Sequence, residues 1–413
     1  MREALLRRFL RYVQIPSQSK SGVPSVPSTK SQWDMAHTLQ KELTELGLTN
    51  IYLSPQCVLT AKLPSNLPLG QKAPAIGFCT HMDTADAGLS PIVHPRVISS
   101  YDGKDIVLNR EKNIVMTVKD HPELLDYIGQ ELVVTDGTSV LGSDNKAAVA
   151  NVMTALDILV HDTSRRHGDI YVAFVPDEEV GLRGSKALEL ERFPVEFAYT
   201  IDCCALGEVV YETFNAGSTF VTIHGVNAHP MSAKGKLVNP TLLAVDFVNL
   251  FDRRETPECT EGKEGYLWVK SIRSNASTAE VRIDIRDHDK AGYEEKKNLI
   301  LKNADVIRKR EPRARIEVEE TDVYANIADA MTAGNKKALD VLYSALDELS
   351  IKPNTIAMRG GTDGSYLSSK GIFTPNYFTG GLNFHSPYEF LPTASMEKSC
   401  QVTLALIDRV TKC

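Results

Sequence analysis

Hydrophobic positions in the first half of the chain recur with two periods. From Trp33 to Gly47, the residues Leu39, Leu43 and Leu46 fall at the spacing of a helix face, and Gly47 supplies a stop. Ala75-Ile76-Gly77-Phe78-Cys79 is a short apolar run that leads to His81. Ala147 to Val160 reads as a buried helix, and Ile170-Tyr171-Val172-Ala173-Phe174-Val175 as a central strand that ends at an acidic cluster. Phe197-Ala198-Tyr199-Thr200-Ile201 is a further strand, and it ends at Asp202. Strands alternating with helices predict a mixed, mostly parallel α/β sheet.

The pattern then changes. Ser218 to Ile223, Ala279 to Ile285 and Arg315 to Val318 alternate like strands with one covered face, and helical stretches at Pro240 to Phe251 and Tyr293 to Lys309 lie between them. This predicts an inserted α+β domain with an antiparallel sheet, helices on one face, over residues 213–325. Residues 1–212 and 326–413 then form one discontinuous domain. In its second part Leu339, Leu342, Leu346 and Leu349 make a helical stripe, followed by glycine-rich loops at 359–364 and 379–381. Pro16 to Lys30, punctuated by Ser and Pro, reads as a loop.

A length of 413 residues fits roughly two to three domains. The net charge of −7 argues against nucleic acid as a partner, because phosphate binding rests on clustered Lys and Arg. No apolar stretch is long enough to span a bilayer, and Met1 to Arg8 mixes charge into its apolar run, unlike a secretory signal. Seven cysteines, at 57, 79, 203, 204, 259, 400 and 413, have no framework spacing. Reduced thiols in a cytoplasmic protein are therefore expected.

Five acidic or histidine clusters carry the candidate chemistry: His81-Met82-Asp83, Ser143-Asp144-Asn145, Asp177-Glu178-Glu179, Asp202, and His385 after Thr379-Gly380-Gly381. Three of them follow strand-like runs, and ligand crevices in parallel sheets lie at the carboxyl ends of strands. In His-x-Asp the imidazole can bind a metal while the carboxylate holds the ring. Asp144, near a helix start, is a candidate bridging carboxylate. One of Glu178 and Glu179 can bind metal while the other accepts a proton, provided that the pair lies in a turn past its strand. Asp202 and His385 complete two oxygen/nitrogen sets of the type zinc prefers. The combined chemistry is metal-assisted hydrolysis. Each cluster also has a plainer reading, as a helix-start charge group, a cap or a satisfied loop residue, and His94, His121, His161 and His167 are rival ligands.

Longer motifs add a resemblance. Tyr12-Val13 through Pro27-Ser28-Thr29, His81-Met82-Asp83-Thr84, Tyr101-Asp102-Gly103-Lys104-Asp105-Ile106 and Thr135-Asp136-Gly137 are among them. So are Pro176-Asp177-Glu178-Glu179-Val180-Gly181, His229-Pro230 with Ala233-Lys234-Gly235, Arg359-Gly360-Gly361-Thr362-Asp363-Gly364 and Phe378-Thr379-Gly380-Gly381. Over nearly its whole length the chain resembles the peptidase T family of tripeptide aminopeptidases. These belong with carboxypeptidase G and carnosinase-type dipeptidases among the dinuclear zinc enzymes.

The resemblance implies a zinc-peptidase-like catalytic domain with residues 213–325 as a lid and dimerisation domain. It implies two Zn2+ ions per subunit, with Co2+ or Mn2+ as possible substitutes. His81, Asp144 and Asp202 would hold one ion, and Asp144, Glu179 and His385 the other. Glu178 would be the general base, Asp83 would orient His81, and the Asp144–Asn145 peptide would be cis. His229 would stabilise the oxyanion, in this family often from the partner subunit of a homodimer. Arg286 and Arg359, with an ordinary salt bridge as the alternative for each, and the weaker candidate Asn239 would contact a short peptide with free amino and carboxyl termini. Against the family pattern, Cys203 and Cys204 follow Asp202 where glycines are typical, Met231-Ser232 follows His229-Pro230, and Ser386 follows His385. The implied activity is removal of the amino-terminal residue from tripeptides. The alternatives are a dipeptidase or N-acyl amino-acid hydrolase of the same architecture, or a catalytically silent metal-binding scaffold.

Overall fold

The structure, a computed structural model, describes residues 1–412. It divides into two compact units. One comprises Met1–Tyr211, Ala330–Ile356 and the chain from Thr362 onward, and the other Glu212–Asp329 with Ala357–Gly361. The inserted segment thus extends beyond 213–325, and the loop bearing Arg359 joins it. The reason is local, since the Arg359 guanidinium donates to the Gly262 and Glu264 carbonyls and the Thr260 hydroxyl at 2.8–3.1 Å.

The first unit is built on an eight-stranded mixed sheet. Its centre is parallel: Ile76–His81 lies between Ile170–Val175 and Phe197–Cys203, and Asn376–Phe378 continues the set beside Phe197–Cys203. These strands are covered on both faces, which explains their near-continuous apolar runs. On one face Cys79, Ala173, Val175 and Ala198 pack with Leu188, Phe193 and Leu367. Gly77 is required there, because a Cβ would collide with the Phe193 ring. The helix Ser143–His161, buried from Ser143 to Leu156, packs between Arg2–Val13 and Thr393–Val410.

A three-stranded sheet of Arg96–Ile98, Leu132–Val134 and Phe390–Pro392 was not visible in the hydrophobic pattern, because strands of three residues are too short to show alternation. It anchors the far end of the loop that carries His385.

The second unit is a four-stranded antiparallel sheet in the order Tyr266–Ser274, Thr278–Asp287, Asn215–His224, Arg315–Tyr324. Val221, Ile223, Ile283 and Ile285 meet Phe247, Ile300 and Ile307 from the helices Pro240–Val248 and Lys290–Arg310. Asn239 and Asp289 cap these helices through their side-chain oxygens.

Candidate metal centre and active site

The four central parallel strands end side by side, and each delivers part of one acidic cluster. His81 is the last residue of its strand and Asp202 the next-to-last of its own. Glu178 and Glu179 lie in the turn after Ile170–Val175, and Asp177 just before them has φ 55°. The strand Asn376–Phe378 runs into the loop that reaches His385, also left-handed at φ 59°. Asp144 enters from the start of the helix Ser143–His161, where Asp144 and Asn145 depart from helical geometry and their peptide is cis.

Asp144 is the centre of the cluster. Its Oδ1 lies 3.0 Å from His81 Nε2 and its Oδ2 2.9 Å from His385 Nε2. Asp202 Oδ1 is 3.6 Å from His81 Nε2, and Glu179 Oε1 is 2.8 Å from His385 Nε2. Ligand atoms of His81, Asp144 and Asp202 lie within 4.8 Å of one another, as do those of Asp144, Glu179 and His385. His81 with Glu178 and Glu179 forms a third such group. Of the four rival histidines none belongs to these groups, and three are engaged elsewhere: His121 with Glu123, His161 with Asp157, and His167 with the Gly168 carbonyl.

Asp83 does more than face His81. Its carboxylate lies 3.4 Å from His81 Nδ1 and also accepts the backbone N–H groups of Glu178 and Glu179 at 3.0 and 3.2 Å. One buried carboxylate thus fixes an imidazole and the turn that carries both glutamates. Asp177 pins that turn from the other side, accepting from Ser28 N and Oγ and from Gln32 Nε2. The Ser/Pro-rich segment, read from sequence as a plain loop, is therefore tied to the acidic turn.

The electrostatics show an excess of negative charge. Burial pushes Glu178 well above the ordinary carboxylate range, and burial with repulsion from Asp144 pushes Glu179 up to about 8 and Asp202 up to about 6. Hydrogen bonds to Asp144 and Glu179 raise His385 to about 11. Burial alone would lower His81, but Asp144, Asp202 and Asp83 overcome it and hold the ring well above its usual value. Two imidazoles cannot offset so many enclosed carboxylates. An all-oxygen-and-nitrogen donor set with this surplus fits a pair of divalent cations, three protein ligands each, with Asp144 shared.

The remaining candidates lie in the second unit. His229 is exposed, and its Nδ1 accepts the Met231 N–H at 3.2 Å. Arg286 Nη1 donates to the Gly217 and Ile285 carbonyls, while the flanking Asp284 pairs with Lys270 and Arg282 and Asp287 pairs with Lys296. Arg359 also stands over the Phe214 and Tyr266 rings. The Asn239 side-chain oxygen is engaged as a helix cap by the N–H groups of Thr241 and Leu242.

Two residues near the centre had no assigned role from sequence. Asp363 is buried, and neither carboxylate oxygen meets a donor at bonding geometry; the nearby Ser185 hydroxyl donates to Leu182 instead. Burial pushes Asp363 up to about 7, in the field of His81, Asp202 and Asp83. Its only sequence signal was membership of the glycine-rich 359–364 loop. The other is Glu389, whose partners are far away in sequence. Cys203 is buried, the Cys204 N–H donates to Glu208, and neither cysteine is in the metal-ligating groups.

Residues 142–409 match the family model described as peptidase family M20/M25/M40. The chain is 51% identical over 401 residues to the peptidase T-like protein of Yersinia pestis, covering 97% of this chain and 96% of that protein. It is 42% identical over 403 residues to peptidase T of Fusobacterium nucleatum, covering 98% and 97% of the two. Among solved structures it is similar to the aminopeptidase PepT of Bacillus cereus, with a TM-score of 0.77 and 21% identity over 99% of both chains. A chain with these parallel-strand ends, this shared aspartate and this full-length similarity belongs to peptidase family M20/M25/M40, among its peptidase T and peptidase T-like members.

Proposed function

We propose that the protein is a metal-dependent aminopeptidase that removes the amino-terminal residue from short peptides, tripeptides foremost. The observation that carries this reading is the single Asp144 carboxylate facing both His81 and His385, with Asp202 and Glu179 completing two ligand sets. His81, Asp144 and Asp202 would hold one zinc ion and Asp144, Glu179 and His385 the other, and the pair would supply the Lewis acidity for hydrolysis near neutral pH.

The chain's own groups do the rest. Glu178, whose proton affinity is raised by burial, takes a proton from the attacking water and returns it to the departing amine nitrogen as the C–N bond breaks. Asp83 keeps His81 and the Glu178–Glu179 turn in register. His229 donates to the developing oxyanion and Arg286 receives the peptide carboxylate, whereas Arg359 and Asn239 are engaged by the Thr260–Glu264 segment and as a helix cap. Arg286 suits that task because its neighbouring aspartates are paired with lysines and Arg282. Charged partners for both peptide termini act as a ruler that favours three residues over two.

The working form in this proposal is a homodimer in the cytoplasm. The six described cysteines are unpaired, which supports a reducing compartment, and Cys413 lies outside the described residues. Among the described residues no helix is long and apolar enough to cross a membrane.

The test is turnover of Leu-Gly-Gly, Leu-Gly and acetyl-Leu-Gly-Gly by metal-stripped and zinc-restored protein, with Glu178→Ala as control. The expected result is zinc-dependent release of leucine from the free tripeptide, reduced roughly 100-fold or more in the control. Cleavage of the acetylated peptide would move the protein to the N-acyl hydrolases, and preference for Leu-Gly to the dipeptidases. No turnover with two zinc ions bound would favour a silent scaffold.

A further inference from the structure

The chain enters the helix Ser143–His161 through a short non-helical stretch, since Asp144 and Asn145 depart from helical geometry. Gly142 just before it has no side chain to accept the backbone N–H groups of this entry. Those donors go to a carboxylate far away in sequence. Glu389 Oε2 accepts from Leu141 N at 2.7 Å and Gly142 N at 2.9 Å. Its Oε1 accepts from Ser143 N at 2.7 Å, from Asp144 N at 3.2 Å and from the Ser143 hydroxyl. Glu389 is 1% exposed, so these donors stand in for the water that it has lost.

The place of Glu389 in the chain gives this contact its meaning. It follows His385 by four positions and precedes Phe390, which is fixed in the three-stranded sheet opposite Val134. Leu382 and Phe390 exchange backbone hydrogen bonds at 2.9 and 3.1 Å, closing the loop that contains His385. At the base of this loop the chain passes so near Ser143 that a Cβ on Gly381 would meet Ser143 Oγ. The two segments that carry Asp144 and His385 are therefore joined through one side chain, Glu389.

We propose that Glu389 is a positioning residue for the metal centre. It does not touch the reacting atoms. It locks the backbone of Leu141–Asp144 against the His385 loop, so that one Asp144 carboxylate is aimed at both imidazoles. This inference rests on the two-metal reading above. Its alternative is a purely structural cap, which would stabilise the helix without setting the ligand geometry.

Glu389→Gln separates the two. The amide keeps the shape but places an N–H against backbone N–H donors, so at least part of the five-bond set is lost. The expected result is Zn2+ affinity reduced by roughly 10–100-fold in direct titration of the metal-stripped protein. The visible absorption of the Co2+-loaded variant should also change, because it reports ligand geometry, and kcat should fall with little change in KM. Wild-type Zn2+ affinity with an unchanged Co2+ spectrum would overturn the proposal, whatever the Tm of the variant. If Glu389→Gln does not fold, Glu389→Asp is measured in the same way: an altered spectrum in a cooperatively folded protein supports the proposal, and an unaltered one overturns it. The wild type decides which idea has failed. If it binds no metal in this titration, the two-metal reading falls and the Glu389 proposal falls with it.

Discussion

At Asp144 one carboxylate serves two imidazoles, and the protonation of its neighbours follows from that crowding. His385 stays protonated up to about 11 and Glu179 up to about 8 in the metal-free protein, whereas Asp202, at about 6, is mostly ionised at neutral pH. Metal ligands must be deprotonated. Binding of Zn2+ at pH 7 is therefore predicted to release at least one proton and to tighten as the pH rises. Calorimetry in buffers of different ionisation heat checks this, and an affinity that ignores pH would contradict it. Asp363 gives a stability prediction. Its folded carboxyl keeps a proton up to about 7, while the unfolded chain loses it near pH 4. A raised folded value favours the folded state below the unfolded pKa, and that contribution is lost as the pH climbs through the folded one. Asp363→Asn mimics the protonated form, so the metal-free variant should lose less Tm than the wild type between about pH 5 and pH 8.

At the scale of elements, the turn that carries Glu178 hangs between two carboxylates, Asp83 and Asp177. Asp177→Ala would leave Ser28 N without its buried acceptor and Gln32 Nε2 with only the Ser28 and Thr29 hydroxyls. The expected cost is about 1–3 kcal/mol in urea unfolding, together with a lower kcat because the base moves with its turn. An unchanged kcat would show that the segment from Pro16 to Lys30 is only packed there. The central strands and the main helices were legible because each buries a long apolar run with a clear period. His81, Glu179 and Asp202 could be proposed because they follow such runs, Asp144 because it precedes one, and His385 from the glycine-rich loop before it and the family resemblance. Glu389 was not legible, since its five donors lie some 245 positions away and no local pattern marks a remote cap. Asp177 was read only as part of a charge run because its partner Gln32 opens the helix Gln32–Glu45, 145 positions earlier.

At the scale of the whole molecule, the chemistry and the proposed substrate anchors belong to different compact units. The two arginines differ in how fully they are engaged. Arg359 holds Thr260, Gly262 and Glu264, so Arg359→Ala is predicted to lower Tm first and activity only through it. Arg286→Ala removes a proposed carboxylate partner, and KM for a tripeptide should rise about 10–100-fold, as loss of a charge-assisted hydrogen bond implies. An unchanged KM for Arg286→Ala would remove Arg286 from substrate binding, and a raised KM for a stably folded Arg359→Ala would place Arg359 in it. The central claim is the two-metal centre around Asp144. Anomalous diffraction at the zinc edge on crystals of the zinc-restored protein tests it most directly. The account predicts two peaks sharing Asp144, one against His81 and Asp202 and the other against Glu179 and His385. A single peak, or peaks bound by other residues, would contradict it.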